Sequence, residues 1–292
     1  MSLQRNINKY WDYLEKKYPS PRYVGKVKCM EFKDLKKAVN NKNENYIKKL
    51  IKNMYVKKEA YIVRNSGSKK LKKTIIDLAN HYKKTRKANF FKMRDGTPNF
   101  HRVIDKNITK KYNLFAIRHS FYFYNWNIRS KLEKNLKDGV YKHWRYVKCL
   151  AGNNKNQFER NIPSDNQIDR LQIIRYPAGG GELRSHVDPR KNQRIVSGLI
   201  MSKIGEDFAK GGFYFKSSRT KKKYIEKKLE LGDAVLFYGS IVHGVDKVDP
   251  HEKLVWKSNK GRWFIGMFVN DSDHVRDRVT PKDVSTRTET KH

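Results

Sequence analysis

The chain has 292 residues, enough for one large domain or two modest ones. Its 66 Lys and Arg against 29 Asp and Glu leave a formal charge of +37, but aromatic residues make up 12% of it, which excludes a disordered polybasic tail. No apolar run approaches the ~18 residues of a membrane span, and two distant cysteines, Cys29 and Cys149, supply neither a disulfide framework nor a zinc-finger pattern.

The opening MSLQRNINKYWDYLEKKYPS carries no apolar signal core, so a cytoplasmic protein is expected. Within it Ile7, Tyr10, Trp11, Leu14 and Tyr18 fall at helical spacing, as do Tyr46, Ile47, Leu50, Ile51 and Met54. Leu71, Ile75, Leu78, Ala79 and Tyr82 repeat the pattern opposite a lysine face. Ala60–Val63 suits a short strand, while Phe115–Trp126 (FAIRHSFYFYNW) fits either a strand pair or a buried helix. Residues 1–165 therefore read as mixed and mostly helical. From about Asp169 the texture changes to short β-branched and aromatic segments between Gly, Pro, Asn and Asp clusters. They are Leu171–Tyr176, Ile195–Met201, Gly212–Phe215, Tyr224–Leu231, Ala234–Tyr238 and Trp263–Val269. Strands so spaced, with no helical pattern between them, predict an antiparallel sandwich or barrel over residues 166–275. A polar tail follows at 276–292.

The strand-rich half contains His186-Val187-Asp188, then His243 and Arg262. Residues two apart on a strand share a face, so His186 and Asp188 are expected to aim together into a barrel mouth. With His243 from a later strand, two imidazoles and one carboxylate would bind one face of a metal and leave the other open. That is the ligand set of non-haem Fe(II) oxygenases. With nine His in the chain, H-x-D alone is a weak signal. Taken singly, His186 is a surface His, Asp188 a turn residue before Pro189, His243 a structural turn His and Arg262 a solvated cation. The ordered set of four, in strand context, carries the weight. The Gly179–Gly181 triplet reads as a turn, since no G-x-G-x-x-G or G-K-S/T follows.

The run Tyr176-Pro177-Ala178-Gly179-Gly180-Gly181 leading to His186-Val187-Asp188 resembles the first metal-ligand motif of the 2-oxoglutarate and Fe(II)-dependent oxygenases, in their prolyl-hydroxylase-like branch. Gly211-Gly212-Phe213-Tyr214-Phe215 is similar to that family's central Gly-Gly strand, and Leu231–Phe237 leading to His243 to the strand that delivers the distal His. Gly261-Arg262-Trp263-Phe264 is similar to its last strand. The resemblance spans residues 169–275. It implies an α+β chain: a double-stranded β-helix (jelly-roll) catalytic core, with the mostly helical N-terminal region buttressing it and shaping the substrate entrance. It further implies iron on His186, Asp188 and His243, and 2-oxoglutarate with its far carboxylate on Arg262. Tyr176 either hydrogen-bonds that co-substrate or packs in the barrel. The implied reaction is O2-dependent hydroxylation of a small-molecule or peptidyl substrate with release of succinate and CO2, with ascorbate as a stimulant. Two alternatives stand beside it: a nucleic-acid-directed oxygenase, and a cupin-like protein that binds metal without turnover. The nucleobase demethylases of this superfamily carry R-x5-R on the last strand, whereas Phe268 stands six residues after Arg262.

Lysine clusters at 69–73, 83–87 and 221–223 predict salt-sensitive, non-specific binding to polyanions. The basic residues spread along the whole chain without a stripe or a recognised nucleic-acid motif.

Overall fold

The computed structural model describes residues 2–112, 115–190 and 193–278; of the polar tail, 279–292 lie outside the described residues. The first half of the chain runs α1 (Leu3–Lys17), β1 (Lys26–Glu31), α2 (Phe32–Asn40), α3 (Glu44–Tyr55), β2 (Glu59–Arg64), α4 (Leu71–Thr85), β3 (Phe100–Ile104), α5 (Lys106–Tyr112), β4 (Ala116–Tyr124) and α6 (Lys131–Leu150). The second half is β5 (Gln167–Pro177), β6 (Gly181–His186), β7 (Ile195–Ile200), β8 (Gly212–Lys216), β9 (Lys222–Tyr224), β10 (Ala234–Tyr238), β11 (His243–Val248) and β12 (Gly261–Asp271).

The helices form where apolar spacing and caps agree. In α1, the Ser2 hydroxyl accepts from Arg5 N–H at the N-cap, Ile7, Trp11 and Leu14 are buried, and Lys16 and Lys17 close the last turn. Helix α6 opens on a capping box, in which Ser130 and Glu133 exchange bonds to each other's backbone. It was not among the expected elements: its Leu136, Val140, Trp144 and Val147 stand at helical spacing, but lysines crowd the intervening positions and mask the pattern. Phe115–Trp126 resolves as strand β4: aromatic and β-branched side chains at alternate positions pack on both faces of a buried strand.

The strands hydrogen-bond in the order β1-β2-β10-β7-β12-β5-β4-β6-β11-β8-β9, with β3 also on β4. Among these strands only β1 and β2 pair in parallel. The sheet turns over at β4, whose Ala116 and Ile117 pair with β6 while His119–Tyr124 pair with β5. It thereby divides into a large layer, β1-β2-β10-β7-β12-β5-β4, and a small one, β6-β11-β8-β9. Successive strands β5 to β8, and again β10 to β12, alternate between the layers. This is the double-stranded β-helix.

Period-two side-chain alternation sorts the large layer's residues. On β10, Ala234, Leu236 and Tyr238 join the helices α1–α4 and α6 in one core, and on β12 Trp263, Ile265, Met267 and Val269 do the same. The opposite faces send Val235 and Phe237, with Ile174 and Tyr176 of β5, into the space between layers, where they meet Phe213, Phe215 and Val245 of the small layer. The expected strand Tyr224–Leu231 is a correction. Only Lys222–Tyr224 pairs, with β8, and Glu226–Lys228 form a 3-10 turn. That turn buries the Glu226 carboxylate against the Phe213 N–H, 2.6 Å away.

Candidate active site

His186 ends β6 and His243 begins β11, and the two are register partners across those antiparallel strands, with ring centroids 4.3 Å apart. Asp188 follows β6 and is anchored by its N–H to the Gly239 carbonyl, 2.9 Å. The strand pairing thus converts a long sequence separation into side-by-side placement. His186 Nε2 lies 3.8 Å from one Asp188 oxygen and His243 Nε2 3.3 Å from the other. Each imidazole donates Nδ1–H to the backbone carbonyl two residues upstream, Arg184 and Ile241 respectively, both at 2.9 Å. Those bonds fix the tautomer and leave Nε2 as the lone-pair nitrogen, facing the carboxylate. One potential ligand atom from each of the three residues lies within 4.8 Å of the others. Burial, and then the neighbouring His243, lower His186 to about 4. Burial raises Asp188, but His243, His186 and Arg118 together outweigh it and leave the carboxyl below its usual range. The donor set is two imidazoles and a carboxylate with no thiolate, which suits a borderline divalent metal such as Fe(II).

The triad closes one end of a cavity of about 100 Å³, well above the ~10–15 Å³ one water needs. Apolar rings of Phe213, Phe237 and Phe264 line its walls. Arg262 and Tyr176 are register partners on β12 and β5, and both line the cavity. Arg262 is 2% exposed and donates from Nε to both oxygens of Glu226, at 3.0 and 2.9 Å, so its terminal fork is not used in that pair. Tyr176 is fully buried, its ring stacks on Phe264, and its hydroxyl has no hydrogen-bond partner. A buried hydroxyl beside a guanidinium fork is a donor set that a carboxylate satisfies, so these residues fit an anionic oxygen ligand. A wider cleft of about 880 Å³, lined by Tyr18, Tyr55, Val187, Pro189 and Arg190, shares Asp188 with the cavity.

No protein-family model and no curated protein matches the chain. Among solved structures, the full-length Neurospora crassa thymine 7-hydroxylase in complex with alpha-KG and thymine aligns over 91% of this chain and 97% of its own, at 11% identity and a TM-score of 0.52. The fold is that of the 2-oxoglutarate/Fe(II) oxygenases. A Trichoplax adhaerens prolyl hydroxylase in complex with a hypoxia inducible factor peptide fragment aligns over 83% of this chain and 94% of its own, at 13% identity and TM-score 0.46. A Pseudomonas putida prolyl-4-hydroxylase covers 72% and 91%, at 9% and 0.44.

Within this oxygenase fold, sequence reasoning brought His186, Asp188, His243, Arg262 and Tyr176 forward, and all five line one cavity. It missed two charged residues. Glu226 lay in a segment read as strand, and nothing local marks it as the partner of Arg262. Arg118 also lines the cavity, from β4, a strand that precedes every motif of the resemblance. The one available signal was position: FAIRHSFYFY alternates, and Arg118 shares a face with the buried Ser120 and Tyr122.

Proposed function

We propose that this chain is an Fe(II)- and 2-oxoglutarate-dependent dioxygenase that hydroxylates a small-molecule or peptidyl substrate and releases succinate and CO2. The observation that carries this reading is the convergence of His186, Asp188 and His243 on one cavity that a buried arginine also lines. His186, Asp188 and His243 would hold the iron through Nε2, a carboxylate oxygen and Nε2. Bound Fe(II) would supply the activation of O2, coupled to oxidative decarboxylation of 2-oxoglutarate. The fork of Arg262 would pair with the co-substrate's far carboxylate, a geometry a guanidinium matches in two parallel bonds. Tyr176 Oη would donate to the same ligand. Phe213, Phe237 and Phe264 exclude water from it.

Since that cavity is small, the primary substrate belongs in the wider cleft that shares Asp188. Its walls come partly from Tyr18 and Tyr55, so the N-terminal 165 residues would shape the substrate entrance as well as buttress the core. Thymine, bound in the Neurospora complex, is a ligand of the smaller scale such a cleft accepts; a peptide side chain is of similar size. Among the described residues no helix is long and apolar enough to cross a membrane. Cys29 and Cys149 are both free, as thiols are in the reducing cytoplasmic setting this reading assigns to the chain. The +37 charge would give salt-sensitive polyanion affinity without turnover.

The test is succinate formation from 2-oxoglutarate with Fe(II), O2 and ascorbate across a metabolite and peptide panel, with and without DNA or RNA. Wild type should turn over, whereas Asp188→Ala and His243→Ala should lose turnover and Fe(II) binding while keeping the wild-type circular dichroism spectrum. Full activity in Asp188→Ala sinks the metal assignment. Stimulation by nucleic acid with an oxidised base or sugar would move the substrate to nucleic acid, and Fe(II) binding with no turnover on any substrate would favour the cupin-like reading.

A further inference from the structure

Two guanidiniums face the cavity, and their electrostatic situations differ. On the large layer, Tyr176 of β5 pairs with Arg262 of β12. One step along β4 from the His119–Arg175 pair, Arg118 comes beside the same tyrosine on its other side. The row across three strands is therefore Arg118, Tyr176, Arg262. Glu226 takes up the charge of Arg262 through a buried ion pair at 2.9 Å. Gly212 is what lets it do so: a Cβ there would stand 2.8 Å from Glu226 Oε2, and the residue has φ +103°. Arg118 has no ion-pair partner among the described residues, and its Nε is buried without a hydrogen bond. It lines the same cavity as His186 and Asp188.

We propose that Arg118 is a second carboxylate-binding residue of the cavity, holding the keto-acid end of the dicarboxylate while Arg262 holds the far end. The inference rests on the co-substrate reading above. Its physical ground is charge balance. A divalent metal with Asp188 leaves one net positive charge, and the Arg262–Glu226 pair adds none. A bound dianion would then leave the buried site one charge negative, a state whose desolvation cost is severe. Arg118 supplies the missing positive charge. Its Nε, buried without a hydrogen bond, is a donor that such a carboxylate would satisfy.

The experiment is calorimetric binding to the full-length chain loaded with Mn(II), using 2-oxoglutarate and 2-oxobutyrate, which keeps the keto-acid head but lacks the second carboxylate. Arg118→Met should weaken both ligands by roughly 10- to 100-fold, the size of one charge-assisted bond pair. Arg262→Met should weaken 2-oxoglutarate alone. Arg118→Lys should recover part of the loss, and an unchanged melting profile separates binding from misfolding. Wild-type affinity for both ligands in Arg118→Met overturns the proposal while leaving the co-substrate reading intact. Should 2-oxoglutarate fail to bind the Mn(II)-loaded wild type, the co-substrate reading falls and Arg118 falls with it.

Discussion

The same three strands carry two consecutive rows of side chains, and the rows meet opposite fates. Facing the space between layers are Arg118, Tyr176 and Arg262; one residue along, facing the helices, are His119, Arg175 and Trp263. Each row places a fully or nearly buried arginine among aromatic rings. Arg262 has a carboxylate on one side and a cavity on the other. Arg175 is 0% exposed, donates from one terminal nitrogen to the Trp256 carbonyl at 2.9 Å, lies over the Trp263 ring, and leaves Nε and the other terminal nitrogen unpaired. Burial alone pushes Arg175 down to about 10. Its neighbours follow: burial, then Arg175, lower His119 to about 2 and Lys83 to about 8. A buried guanidinium is therefore not in itself a functional signal. What separates the rows is an opening on one side and a paired acid that aims the fork towards it.

The largest effect that can break this comparison is on the cavity row. Arg262→Leu should raise the 2-oxoglutarate concentration needed for half-maximal succinate formation by roughly 30- to 5000-fold, the ~2–5 kcal/mol of a lost buried charge-assisted pair. Iron binding should be unchanged. A wild-type requirement would place the far carboxylate on another cation and dissolve the contrast.

A smaller effect belongs to the back row. His101 donates from Nε2 to the Arg86 carbonyl, so its Nδ1 accepts from His119 Nε2, at 2.9 Å. His119 is thus held neutral. Its folded-state value is depressed, so the unfolded chain binds the extra proton, and stability falls as pH drops below about 6.5 towards 2. Between pH 7 and pH 5 that residue's contribution should fall by about 2 kcal/mol. His119→Gln, which keeps a donor for His101, should flatten this part of the urea-unfolding profile without changing 2-oxoglutarate affinity. An acid limb identical to wild type would show that the back row does not titrate on unfolding.

The smallest effect is the most diagnostic of sealing. Arg175→Met replaces an incompletely paired buried charge with an apolar chain of similar length, and should stabilise the fold by about 1 kcal/mol, or about 2–4 °C in Tm. Activity should stay at the wild-type level. A fall in Tm would mean that Arg175 has a compensating partner and that the two rows are alike.

Of the candidate ligands, His186 and Asp188 were legible as neighbours in the chain, whereas His243 reaches them only through the pairing of β6 with β11. Strand periodicity does not bring His186 and Asp188 together as expected, since β6 ends at His186 and Asp188 is held beyond it by the Gly239 carbonyl, whereas the aromatic and β-branched segments of β5, β7, β8, β10 and β12 announce themselves by composition. Strands β6 (GELRSH) and β11 (HGVDKV) were harder. They are polar and glycine-containing, so propensity says little about them. Helix α6 was available in the spacing of Leu136, Val140, Trp144 and Val147, and its many lysines hid it.

By itself, then, the sequence determined the architecture's class and singled out His186, Asp188, His243 and Arg262 as candidates, through residue type, strand-rich context and the resemblance of the motifs that carry them. Only the tertiary structure decided that β2 lies beside β10 and β4 beside both β5 and β6, which brings the first half of the chain into the sheet. The same long-range pairing placed Arg118 next to Tyr176, and the 3-10 turn at Glu226–Lys228 put a carboxylate on Arg262. Partners of this kind are set by strand register and layer packing between segments far apart in the chain. A one-residue slip of β4 would send Arg118 to the helix face and His119 to the cavity.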